Sequence, residues 1–175
     1  MTATIEPTTS VEVYPVAVLA SRERVKGNAW IDERWRVLGV VAADDRATGD
    51  IRRETVRTDA DAEQYLWTGL KLVLRASEAD SYYYNLLGTN PQIYVLTQLN
   101  DDGEPVPIEV SLEYSEALAF SEFGNESYAV PMPAELYCRI EQFVLAHYLP
   151  DEPRRKRKRD GDVAGRGSGS HETKR

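Results

Sequence analysis

A single cysteine, Cys138, stands among the 175 residues, so no intramolecular disulfide framework exists and a reducing compartment suits the chain. Histidine is almost as scarce. His147 and His171 are the two, and only His147 lies outside the polar C-terminal stretch. A zinc centre would therefore have to be assembled mostly from carboxylates, against the usual preference of zinc for nitrogen and sulfur ligands. Every Ser/His/Asp or Cys/His nucleophile scheme would likewise depend on His147. No apolar run approaches the ~18 residues of a membrane span. The opening MTATIEPTTSVEV has neither the basic nor the apolar region of a secretory leader, and the expectation is a soluble, cytoplasmic protein without membrane insertion. Phosphate-binding glycine loops are missing too: there is no GxxxxGK followed by Ser or Thr and no GxGxxG after a strand. No cofactor and no metal is assigned.

What is present is charge, unevenly placed. Residues 1–150 carry 12 Lys and Arg against 24 Asp and Glu, a net charge of −12, whereas residues 151–175 carry nine against five, a net charge of +4. An acidic body disfavours broad contact with nucleic acid or anionic membrane and confines any such contact to the tail. The tail itself, beginning with the cluster Arg154, Arg155, Lys156, Arg157, Lys158 and Arg159, is too poor in apolar residues to fold. The expected organisation is a flexible lead over 1–10, one globular domain over 11–150, and a basic, disordered tail over 151–175.

Periodicity predicts an α+β fold. Its expected form is a mainly antiparallel sheet of about five to six strands, two short helices and a C-terminal amphipathic helix. Val11 to Ala20 reads as a strand that Pro15 demotes to an edge or an irregular position. Trp35 to Ala42 reads as a strand apolar enough to be buried on both faces. Residues 43–62 read as a charged loop with a short edge strand around Ile51 to Arg57. In Gln64 to Leu74, simple alternation puts Leu66, Leu70, Leu72 and Leu74 on one face and Tyr65, Trp67 and Val73 on the other. Ser77, three residues ahead of Asp80, predicts the start of a short helix that Gly88 ends. Gln92 to Leu99 and Val106 to Ser111 predict strands joined through the Asp-Gly pair of NDDG, a hairpin. Ser111 is expected to cap a second helix through Phe123, and Ser127 to Val130 reads as a last strand. Between Pro133 and Pro150 the residues Leu136, Ile140, Phe143, Val144 and His147 recur on one helical stripe that docks on a core.

Few side chains suggest chemistry. His147 lies on the apolar stripe, which favours a core histidine over a catalytic one. The carboxylate pairs Asp44 with Asp45, Asp59 with Asp61, and Asp101 with Asp102 all fall in loops, where solvated acids are the rule. Trp30, Trp35 and Arg36 cluster in sequence. The triple Tyr82, Tyr83 and Tyr84 cannot all face one core from a helix, so one is expected at the surface; Tyr82 and Tyr84 are the candidates for partner contact, together with the basic cluster Arg154 to Arg159. Cys138 falls off the stripe, with nothing beside it in the sequence to mark it as a nucleophile.

The segments YPVAVLASRER, ERWRVLGVVA, EADSYYYNLLGTNPQIYVLTQ, SLEYSEA and VPMPAELYCRIEQFVLAHYLP, followed by KRKR, form a recognisable series. It resembles a family of small bacterial proteins classed as a domain of unknown function and often encoded beside formate dehydrogenase genes, over about residues 14–159. WRVLGVV, the MP before the last helix and KRKR are its most specific parts. Family members usually have an aromatic residue in the last helix and another just before KRKR; Tyr137 stands for the first, and Pro153 with Arg154 replaces the second. The resemblance implies an accessory role around molybdenum-dependent formate dehydrogenase. Some members are labelled as molybdopterin guanine dinucleotide biosynthesis proteins, but the nucleotide loop such an activity needs is missing here.

The functional expectation is thus a non-enzymatic accessory or interaction protein, acting in assembly or regulation of that enzyme. Its expected partner is a protein, formate dehydrogenase or a maturation factor. Two other readings stand beside it: an enzyme binding a small ligand or cofactor in molybdopterin metabolism, with Arg36, Tyr84 and carboxylates converging in a deep pocket, and weak nucleic-acid contact through the tail.

Overall fold

The two longest strands of the chain lie side by side in the middle of its sheet. In the computed structural model, which describes residues 10–27, 33–44 and 49–150, these are β1 (Val11–Arg24) and β4 (Ala62–Arg75). Around them the order is β2 (Glu33–Ala42), β1, β4, β6 (Pro105–Ser111), β5 (Gln92–Leu99), β7 (Glu126–Pro131), while β3 (Arg52–Thr58) also pairs with β4. The fold is α+β with a seven-stranded sheet. Every pairing is antiparallel except the short β4/β6 contact at Leu72 and Val110. Trp30, Asp45 and the basic cluster Arg154 to Arg159 lie outside the described residues.

One residue sets the phase of β4. Opposite Val16 and Val18 of β1 stand Leu70 and Trp67, so β4 carries one residue more than its partner between those pairs. Gly69, at φ +86°, lies within this bulge, a conformation that L side chains rarely adopt. The bulge reverses the alternation, so Tyr65 and Trp67 before it bury the same face as Leu70, Leu72 and Leu74 after it. Leu66 therefore does not share a face with Leu70. The bulge also marks where β4 changes neighbours: β3 pairs with Glu63–Thr68, and β6 takes over the same edge at Leu72.

Two more expectations are corrected. Of the two positions expected for β1, the edge is excluded because the strand pairs with β2 and β4 on its two sides, and the irregular one holds, with register shifts between Val16 and Val18 and between Leu19 and Ala20. The proline sits where the β2 ladder ends: Ala43 N–H donates to Pro15 O at 3.0 Å, and Pro15 has no N–H with which to return the bond. β2 in turn is an edge strand, with Val40 its one buried residue and Leu38 and Val41 open on the other face. Sheet curvature brings β2 and β7, the two ends of the strand order, close around Trp35, Val37 and Tyr128, so the sheet is nearly a barrel.

The helices follow the predicted places with different starts. A 3-10 turn, Ala76–Glu78, leads into α1 (Ala79–Leu87), whose N-cap is Glu78 without a side-chain cap; Ser77 lies within the turn. Gly88 caps the end, its N–H donating to Asn85 O. α2 (Tyr114–Glu122) starts after Glu113, not Ser111; Ser111 Oγ instead accepts from Glu113 N–H at 3.0 Å. The β5–β6 hairpin turns through Gly103 at φ +78°, and Asn100 Oδ1 accepts from the N–H groups of Asp102 and Glu104. α3 (Ala134–His147) buries Leu136, Ile140, Phe143 and Val144. These four join Leu72, Leu74, Tyr82, Ile93, Val95 and Val110 in one apolar cluster, the burial that drives folding. Among the described residues no helix is long and apolar enough to cross a membrane.

Candidate functional site

The tyrosine triple separates by depth. α1 packs against α3, and a helix turns each successive side chain by about 100°. Tyr82 consequently points inward, 1 % exposed, with its ring 6.2 Å from that of Phe143. Its hydroxyl donates to Glu78 at 2.6 Å and accepts from Arg75 N–H at 3.3 Å. Burial, reinforced by the Glu78 carboxylate, raises its pKa well above the ordinary tyrosine value. Tyr82 is a core residue with a polar handle, and its predicted place on a contact surface is corrected accordingly. Tyr83 stacks on Tyr148, centroids 4.2 Å apart and planes 14° from parallel. Tyr84 is the exposed member, at 66 %.

Tyr84 stands at an open cleft of about 420 Å³ between the start of α1 and the end of α3. Ala76, Ser77, Ala79 and Asp80 line it from one side, and His147, Tyr148, Leu149 and Pro150 from the other. His147 is half-buried, with its ring centroid 4.4 Å from that of Phe143. It forms part of the cleft wall and is not enclosed in the core.

Acidic groups gather next to this cleft because α1 and α2 begin side by side. Ser81 Oγ, in the first turn of α1, donates to Glu113 Oε2 at 2.8 Å. The other oxygen of Glu113 is buried without a hydrogen-bond partner among the described residues. Burial raises the Glu113 pKa, and the charges of Glu78, Glu116 and Asp80 raise it further, against the Ser81 hydrogen bond. Sequence reading missed this grouping. Its signal was the pair of short acidic helix starts, SEAD and EYSE, which only the fold brings together.

A second polar cluster lies at the other end of β1. Arg22 reaches Glu63 at 2.5 Å, Glu104 at 3.5 Å and Glu33 at 3.8 Å, and Arg53 also reaches Glu104, at 2.9 Å. The Arg53 guanidinium lies 4.7 Å from the Tyr65 ring centroid, and Trp35 stacks on Tyr65 at 5.6 Å. The Glu63 carboxylate accepts from both Tyr65 and Arg22, and these two bonds hold its pKa below the ordinary value. With each guanidinium already matched to carboxylate and ring, the cluster ties β1, β2, β3, β4 and the β5–β6 turn together.

Groups that chemistry would need do not converge. Arg36 pairs with Glu23 at 3.8 Å and lines a small crevice between β2 and β7, while Tyr84 lines the α1–α3 cleft. Asp59 and Asp61 pair with Arg57 and Lys26. Cys138 is exposed on α3. Among the described residues no group of three or more His, Cys, Asp and Glu is disposed to hold a metal ion.

Comparison with curated proteins and with solved structures gives no match. The sequence matches a family described as protein of unknown function (DUF3305) over residues 15–158. That match takes in every described element from Pro15 onward, the Tyr84 cleft included, and the chain belongs to this family.

Proposed function

We propose that this is a non-enzymatic interaction protein of the cytoplasm, an accessory factor in the assembly or regulation of molybdenum-dependent formate dehydrogenase. The end of the molecule formed by α1 and α3 is its contact surface. The observation that carries the reading is Tyr84, a large aromatic left in solvent beside a cleft. Leu87, one turn further along α1, and Leu149 on the opposite wall are also exposed. Exposed tyrosine is enriched at the centres of protein contacts, and the leucines beside it add apolar area to be buried there. The choice of partner rests on the sequence resemblance.

Affinity capture of the tagged full chain from its own cells, grown with formate, tests the proposal. Formate dehydrogenase subunits should be enriched by the wild-type chain and lost with Tyr84→Ala. Absence of the enzyme from the wild-type capture overturns the choice of partner, and equal capture by both chains overturns the choice of surface.

A further inference from the structure

The last described residue, Pro150, is itself part of the wall of the Tyr84 cleft. Four positions later the sequence enters Arg154 to Arg159, six consecutive cations. An extended chain spans at most about 3.3–3.6 Å per residue, so Arg154 reaches no further than ~14 Å from Pro150 and Arg159 about 30 Å. The cleft that Pro150 helps to wall is itself acidic and aromatic, lined by Asp80 and Tyr84. Asp80 lines the cleft directly, and Glu78, Glu113 and Glu116 are near enough to one another to shift the Glu113 pKa. Arg75, the nearby cation, is engaged with Glu78 at 3.6 Å.

We propose that Arg154 to Arg159 docks in cis across the α1–α3 cleft, with guanidinium groups on the Tyr84 ring and against Asp80 and its acidic neighbours. The chemistry is matched on both counts: arginine stacks on aromatic faces and pairs with carboxylates in one planar group. A short tether keeps the segment at an effective concentration in the millimolar range, so weak individual contacts suffice for occupancy. The docked segment covers the surface assigned above to the partner, and a partner gains that surface by displacing it. This consequence rests on the proposed contact surface; the docking itself does not.

Paramagnetic relaxation in the full chain tests the docking. A nitroxide is placed on Gly161→Cys in a Cys138→Ser background, and amide signals are read at low salt. Selective loss of signal at residues 76–84 is expected. Recovery should follow at about 1 M salt, where the Debye length is ~3 Å, and also on substituting Asp80→Asn together with Glu78→Gln. Signal loss spread evenly over the body, or unchanged by salt and by both substitutions, overturns the proposal. Selective loss at residues 76–84 with undiminished partner capture by Tyr84→Ala would leave the docking standing and remove only the partner surface.

Discussion

Gly69 and Asp50 are packed backbone to backbone: a Cβ built on Gly69 would stand 2.4 Å from the carbonyl oxygen of Asp50. Neither atom belongs to a flexible side chain, so nothing yields cheaply. Gly69→Ala adds this clash to a positive φ that alone costs about 1–3 kcal/mol. The variant should lose at least ~3 kcal/mol in urea unfolding. Gly39→Ala, at a β2 glycine with open space around its Cβ position, should stay within about 0.5 kcal/mol of wild type.

The stripe of α3 gives a second comparison. Phe143 is buried against Tyr82 and His147, and Phe143→Ala should cost about 3–5 kcal/mol through lost burial and the cavity left behind. Leu145, two residues on and 79 % exposed, should change stability by no more than ~0.5 kcal/mol when replaced by alanine. Similar losses at the two sites in chemical denaturation would be incompatible with the helix docking observed.

Glu113 and Glu63 should shift stability with pH in opposite directions. The folded pKa of Glu113 is raised, so between the ordinary value of 4.5 and that higher value the folded state binds more protons than the unfolded one. Stability from this group is therefore lost as pH rises through that window. Glu113→Gln should make the protein more stable than wild type at neutral pH, with the difference vanishing below the ordinary carboxylate range. The folded pKa of Glu63 is lowered, so its contribution is present above the ordinary value and disappears as pH falls through the folded one. Thermal melts of Glu113→Gln and Glu63→Gln across the acid range check the signs.

Nucleic-acid binding by the tail should be weak. Six phosphate contacts predict a slope of log affinity against log salt near −5, and a non-specific dissociation constant above about 1 μM at physiological salt. The net charge of −12 over residues 1–150 works against approach to DNA. Fluorescence anisotropy of a labelled duplex across a salt series measures both. Nanomolar, sequence-selective binding would transfer the tail from protein contact to nucleic-acid recognition.

Local signals in the sequence carried much of the fold. β5 occupies the predicted Gln92 to Leu99, and the four predicted apolar side chains of α3 are all buried. What failed was phase and neighbourhood. Unbroken alternation misplaced Leu66, although a lone glycine within a strand pattern is itself a bulge signal. β2 looked doubly buried because composition reports apolarity, while the position of a strand in a sheet depends on pairing with residues far away in sequence. Tyr82 and Tyr84 could not be ranked for the same reason, since their depths depend on α3, more than fifty positions later. The Arg22 cluster joins residues 22, 63 and 104, a grouping that no local pattern contains.

The single parallel pair, Leu72 with Val110, also divides the sheet into an earlier part, β1 to β4, and a later part, β5 to β7. α3 contributes Leu136, Ile140, Phe143 and Val144 to a core cluster that also holds residues from both parts, and its Arg139 lies 5.4 Å from the Tyr14 ring centroid on β1. The clasp that holds the parts together thus leaves the ribosome after every strand of the sheet. Nascent chains ending before Ala134 would hold Leu72, Leu74, Ile93 and Val95 without their cover, the kind of exposed strand surface that chaperones engage. Protease resistance of stalled chains of increasing length should therefore rise only once His147 has emerged, and resistance already complete at Pro131 would contradict the clasp role.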